Sequence, residues 1–170
     1  YFSQALLSDT VYHFSLSGFN DLCGNAFRDS VVGMRYHQAN AFDVVLNEIM
    51  ADPIPSVGLP ESDYLELYNR SAYPINFKGW KLFFGENVKV LPEIELLPDH
   101  YLIICQADAG EAFNGLENVL EILSSNSFPL SQQILTIRDV AGLTIDSLCY
   151  QKSWYHNSEK ESGGWSLERI

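Results

Sequence analysis

The sequence predicts an all-β fold, a sandwich or barrel of short strands with little helix. Three observations carry this. Strand-like runs rich in Val, Ile, Leu, Tyr and Phe recur along the chain at short intervals. Gly, Pro, Asn and Asp clusters bound them. Only Ala107 to Leu116 suggests a helical turn, and it is short.

In chain order, Val11 to Leu16 alternates and then meets S-G-F-N-D-L-C-G-N, a dense cluster of turn formers. Val31 to Tyr36 is a weaker strand, and the residues around Gln38 and Asn40 read as a linker. Val44 to Met50 and Tyr64 to Tyr68 are stronger strands, separated by D-P-I-P-S-V-G-L-P, where prolines and glycine exclude regular structure. Trp80 to Phe84, Val88 to Leu91, Tyr101 to Cys105, Val119 to Leu123, Ile134 to Arg138 and Thr144 to Tyr150 complete the series. Asp139 to Gly142 reads as a hairpin turn between the last two, with the glycine supplying a positive φ. Alternation places Val45, Asn47 and Ile49 on one face of their strand and Leu46, Glu48 and Met50 on the other. In the next strand Leu65 and Leu67 share one face, and Tyr64, Glu66 and Tyr68 the opposite one.

The 170 residues can hold one full domain and part of another, or one large domain, and a hydrophobic share of 46% is ample for a packed core. Acidic residues outnumber basic ones, 22 to 10, for a net charge of −12. That balance repels the phosphate backbone, so neither nucleic acid nor an anionic membrane surface is an expected partner. No run of about 18 apolar residues occurs, so no membrane-inserted helix is expected. The start lacks an initiator Met and a charged leader region, and the end stops in mid-pattern, as a piece of a longer protein would. Cys23, Cys105 and Cys149 are too few and too far apart for a zinc motif or a disulfide framework. Cys105 and Cys149 read as small buried hydrophobes.

Glu48 and Glu66 invite a catalytic reading. On neighbouring strands they could approach the roughly 5–9 Å separation of glycosidase carboxylates. Catalysis also needs a concave site and one raised pKa, and no further acid, base or aromatic platform stands at a fixed spacing. Glutamates that accept hydrogen bonds from backbone or tyrosine hydroxyls are the favoured reading, and no catalytic residue is assigned. Asp52, Glu61 and Asp63 surround the proline-rich loop and are the candidate calcium ligands, although their spacing matches no EF-hand. No other cofactor is expected. The histidines lack ligand spacing and are expected at surface or edge positions, and no nucleophile elbow, Walker loop or C-x-x-C occurs. Asn69-Arg70-Ser71 matches a glycosylation acceptor but is expected to form a tight turn. Trp80 is an expected core anchor. The exposed aromatics of the polar loop from Trp154 to Trp165, with Trp154 and Tyr155 foremost, could stack on a glycan or protein. The favoured reading is that W-S-L-E forms a terminal strand that folds back onto the sheet.

The segments D-V-V-L-N-E-I-M-A-D-P, Y-L-E-L-Y-N, I-N-F-K-G-W-K-L, L-L-P-D-H-Y-L-I-I, I-L-T-I-R-D-V-A-G-L-T-I-D-S-L-C-Y and G-G-W-S-L-E-R-I follow one another in a characteristic order. This ordered set resembles the lamin-tail domain in its bacterial form, over residues 41–170. The resemblance implies an immunoglobulin-like β-sandwich with Greek-key connections. It implies no catalytic residues, and makes Asn47, Glu48, Glu66, Tyr68, Asn69, Gly79 and Trp80 fold determinants. Residues 1–40, with L-S-D-T-V-Y-H-F-S-L-S-G-F-N-D-L-C-G-N, resemble the last strands of a bacterial immunoglobulin-like domain plus a linker, and are expected to pack on the main domain. The function implied is a non-enzymatic spacer or docking module for protein or glycan within a larger extracytoplasmic protein, secreted or in the cell envelope. The alternative is an accessory carbohydrate-binding or calcium-stabilised module of an attached hydrolase.

Overall fold

Strand is the dominant regular structure of the computed structural model, which describes residues 6–124, 127–129 and 131–170. Its strands are β1 (Thr10–Leu16), β2 (Ser30–Tyr36), β3 (Val44–Met50), β4 (Tyr64–Asn69), β5 (Ile75–Asn76), β6 (Lys81–Phe84), β7 (Asn87–Val90), β8 (Glu95–Leu96), β9 (Tyr101–Gln106), β10 (Val119–Leu123), β11 (Gln132–Arg138), β12 (Thr144–Gln151) and β13 (Leu167–Glu168). Each strand read from the sequence is present, with ends displaced by a residue or so. The expected helical turn is a single 3₁₀ turn, Gly110–Phe113. Among the described residues no helix is long and apolar enough to cross a membrane. The chain forms two units, one up to Gln38 and one from Ala39 to Ile170.

The first unit is an antiparallel hairpin in which β1 and β2 pair from Thr10↔Tyr36 to Leu16↔Ser30. Tyr12 and Phe14 are half-buried between exposed Val11, His13 and Ser15, as a one-faced strand requires, but Leu16 is exposed. The D-L-C-G-N loop is wound around Asp21, whose carboxylate accepts the backbone N–H of Cys23 and of Asn25, both at 2.8 Å, and the Asn25 amide at 2.7 Å. These bonds, that of the Asn25 side chain first, hold the Asp21 carboxyl below its usual range. At the foot of the hairpin His37 Nδ1 lies 2.7 Å from Asp9 Oδ1. The His37 side chain is 8% exposed, so it is more enclosed than an edge histidine was expected to be.

The second unit is an immunoglobulin-like β-sandwich. One sheet has the order β10-β9-β4-β3-β13, the other β12-β11-β6-β7, and β5 pairs with β8 alongside. Crossing connections bring β9 back beside β4 and β11 beside β6, in the manner of Greek keys. The core between the sheets takes Leu46, Leu65, Leu67, Leu102 and Ile104 from the first and Leu82, Phe84, Leu135, Ile137 and Tyr150 from the second. A satellite core of Met50, Tyr64, Ile103, Cys105 and Phe113 lies on the other face of the first sheet, roofed by the 3₁₀ turn.

One sequence expectation is corrected in β3. Strict alternation separates Leu46 from Ile49, yet both, with Val44, face the main core. The register shifts between Leu46 and Glu48, a β-bulge centred on Asn47. An inserted residue resets the two-residue period, so side chains beyond it change face. Glu48 and Met50 are thereby delivered to the outer face that Tyr64, Glu66 and Tyr68 occupy.

Candidate functional site

On that outer face, Glu48 pairs across β3 and β4 with Glu66, and across β3 and β13 with Glu168. Three carboxylates stand in one row on three neighbouring strands, an arrangement in which like charges repel. The inner two each have a neutral partner. The Tyr64 hydroxyl donates to Glu48 Oε1 at 2.5 Å, and Asn47 Nδ2 donates to Glu66 Oε1 at 2.7 Å. Burial pushes the Glu66 carboxyl above its usual range against the pull of the Asn47 bond, and the Glu48 and Glu168 charges push it further. Burial, then the bond to Glu48, raises the Tyr64 phenol well above its ordinary value. The two glutamates thus meet the neighbouring-strand condition that a catalytic pair would need. Yet the adjoining groove of about 270 Å³, lined by Glu66, Asp99, His100 and Glu117, does not reach Glu48. The carboxylates stand side by side on a sheet rather than across a cleft.

The other signature residues are engaged in the scaffold. Tyr68 donates to Asp99 Oδ1 at 2.8 Å and stacks on Tyr101 with ring centroids 4.7 Å apart. Asn69 is fully buried. Its Nδ2 donates to the carbonyls of Tyr73 and Leu96, both at 2.8 Å, while its Oδ1 accepts the Ser71 N–H and hydroxyl. With one amide hydrogen bonded within the turn and the other to β8, the residue is unsuited to glycosylation in the folded chain. It makes this turn without the left-handed backbone that an asparagine turn can adopt. Gly79, at φ 79°, is the third residue of a turn closed by the Trp80 N–H on the Phe77 carbonyl at 2.9 Å, the place where a type II turn demands glycine. Trp80 is buried edge-on to Phe77, as a core anchor.

The proline-rich loop does not gather its three acids. Asp63 is buried, and that burial, with the Asp52 charge as a further push, raises its carboxyl despite a bond from Gln106. Glu61 is exposed. Among the described residues no three His, Cys, Asp or Glu side chains come together as a metal would require. The loop is held instead by glycines. The Gly164 N–H donates to the Asp52 carbonyl at 2.7 Å, and a Cβ on Gly163 or Gly164 would lie 2.1 Å from the carbonyl oxygen of Ile54 or Pro55. The paired glycines of G-G-W are there because backbone meets backbone.

An apolar concavity lies beside the last strand. W-S-L-E does fold back, and β13 pairs with the edge of β3 through Leu167↔Ile49 and Glu168↔Glu48. A groove of about 470 Å³ runs between β13 and the segment after β12, with Leu46, Ile49, Leu148, Trp154 and Leu167 among its walls. Trp154 lines this groove and is 44% exposed. Tyr155 differs from the expectation of a ligand-facing ring. Its hydroxyl donates to the Trp165 carbonyl at 2.7 Å, and burial, with Asp52 nearby, pushes the phenol up to about 12. Trp165 carries the Lys160 ammonium 4.6 Å above its ring.

Sequence reasoning missed the pair that secures β13. Asp146, 1% exposed, accepts the Leu46 N–H at 2.8 Å and the Arg169 guanidinium at 2.7 and 3.3 Å. Its only signal was an aspartate inside the apolar run T-I-D-S-L-C-Y, where a buried charge needs a partner. Cys23, Cys105 and Cys149 are all thiols; Cys105 is buried, and burial pushes it up to about 11. Cys149 is only partly buried and accepts the Gln132 side-chain amide at 3.3 Å.

No known family model matches this chain, and no curated protein matches it.

Proposed function

We propose that this chain is a non-enzymatic docking module within a larger extracytoplasmic protein, a sandwich that presents a surface to protein or glycan. One observation carries the reading. The chemically active side chains of the central strands are consumed in internal bonds, whereas Trp154 stands open over an apolar groove at the sheet edge. Asn47 serves Glu66, Tyr64 serves Glu48, and Asn69 ties three segments of backbone together. An exposed tryptophan over a groove within the ~300–1,000 Å³ range of small binding sites is the feature a docking surface needs. The order of motifs resembling the lamin-tail domain supports the same reading, and the extracytoplasmic setting is part of this proposal and rests on that resemblance.

A second reading, an accessory carbohydrate-binding module, draws on the same tryptophan, since an open indole face stacks well on the apolar face of a pyranose. Defined glycan and peptide arrays, run with calcium and with chelator, decide between the two. We expect selective retention of array members, lost in Trp154→Ala and indifferent to calcium. Hydrolysis of chromogenic aryl glycosides that disappears in Glu66→Gln would overturn the non-enzymatic reading.

A further inference from the structure

We infer that the outer edge of β13 and the groove beside it take an extended peptide in which basic and apolar residues alternate. The inference rests on the docking reading and names the chemistry of the partner.

The edge is open for a strand. β13 ends its sheet, with β3 on one side and, among the described residues, no strand on the other. The Arg169 N–H donates to the Asn47 carbonyl at 2.8 Å. In an antiparallel ladder, alternate residues direct their backbone groups to opposite sides, so Glu168 turns its N–H and C=O away from β3. A row of unpaired backbone groups at a sheet edge is a template for an incoming strand.

The two faces then dictate the side chains. Leu167 packs toward the main core and Glu168 lies on the outer face beside Glu48. In a strand laid along β13, residues opposite Leu167 and Arg169 point into the groove, against Leu148, Leu167 and Trp154. Those positions call for apolar side chains. The residue between them, opposite Glu168, points outward and becomes the next member of the row Glu66–Glu48–Glu168. A lysine or arginine there meets three aligned carboxylates, in a chain whose net charge is −12. A second copy of this chain is a poor occupant, because antiparallel pairing through β13 would bring another Glu168 to the same row.

The test uses the full chain and fluorescein-labelled octapeptides. One alternates valine with lysine, and one alternates valine with glutamate. A third has the valine–lysine composition in two blocks, and a fourth is the alternating valine–lysine peptide N-methylated at every second amide. We expect the first to bind and to change Trp154 fluorescence, the block and N-methylated forms to bind at least about tenfold more weakly, and the valine–glutamate form not to bind. Trp154→Ala should weaken binding about tenfold or more. Glu168→Lys, at an exposed position, should move the preference to the valine–glutamate peptide. Equal binding of the block or N-methylated forms would reduce the effect to charge attraction and overturn the proposal, as would no binding of the first peptide. Dimers in sedimentation without peptide would assign the edge to a second copy. Trp154 quenching by an oligosaccharide that the peptide cannot displace would assign the groove to glycan, and either result overturns it. An array ligand that survives both Trp154→Ala and Glu168→Lys would keep the docking module while removing this edge from it.

Discussion

Single residues in this chain are set by what lies opposite them. Glu66 is the clearest case, with burial and two aligned carboxylates raising its pKa. A raised carboxyl pKa means that folding favours the protonated form. The stability it confers is complete below the ordinary carboxylate range and is lost as pH rises through the raised value. Glu66→Gln keeps an acceptor for Asn47 and removes the charge. Urea midpoints should show it more stable than the parent at pH 7 by up to about 1 kcal/mol, since solvent screening limits the effect. The gap should close at the acid end, and a gap of equal size at both pH values would contradict this origin. Asn69 works the other way. Asn69→Ala strands the buried carbonyl of Leu96 and leaves that of Tyr73 to the Ser71 hydroxyl, and should cost roughly 1–3 kcal/mol in denaturant unfolding. A loss below about 0.5 kcal/mol would show that water replaces the amide. The role of Asn69 in its turn was legible because an asparagine before Arg-Ser has few other uses. The reach of the amide to Leu96 was not, because β8 is two residues long and shows no alternation.

At the scale of elements, β13 is a two-residue strand whose place depends on contacts distant in sequence. Asp146 on β12 holds both the Leu46 N–H of β3 and the guanidinium that follows β13. Asp146→Ala leaves Arg169 without its counter-ion at a partly buried site and should cost about 3–5 kcal/mol, the range for breaking such a pair. Asp146→Asn, which retains an acceptor for Leu46, should cost less. Amide exchange at Leu167 and Glu168 should accelerate in both, and unchanged exchange would place the anchor elsewhere. Gly163→Ala tests the loop clasp. Its Cβ would strike the Ile54 carbonyl, and φ is already 110°, so a loss of about 1–3 kcal/mol is expected from thermal unfolding. The long strands were legible from alternation and punctuation. The bulge at Asn47 was not, since an extra residue in β3 leaves no mark on composition and shows only once β4 supplies the register.

At the largest scale, the second unit is a sandwich whose central polar side chains bond to one another, while Trp154 at the sheet edge is 44% exposed. Among the described residues, the buried members of the main core lie between Ala39 and Tyr150, and Leu167, packed against them, is also in the second unit. Residues 39–170 expressed alone should therefore unfold in one cooperative transition, coincident by circular dichroism and tryptophan fluorescence. Separate transitions would show that the core needs the rest of the chain. The sequence supplied this architecture because turn residues and short apolar runs agree along its length. It could not show that Trp154, Leu148 and β13 share one groove, because their proximity arises only after β13 crosses back to β3. The most direct measurement is a paired one on Glu48→Gln/Glu66→Gln and on Trp154→Ala: urea stability and affinity for the alternating valine–lysine peptide. The double variant should gain stability and keep affinity within about threefold, because Glu168 remains, while Trp154→Ala should keep its stability and lose at least about tenfold in affinity. The reverse pattern, binding abolished by the two glutamine substitutions and untouched by Trp154→Ala, would return the site to the centre of the sheet and contradict the account.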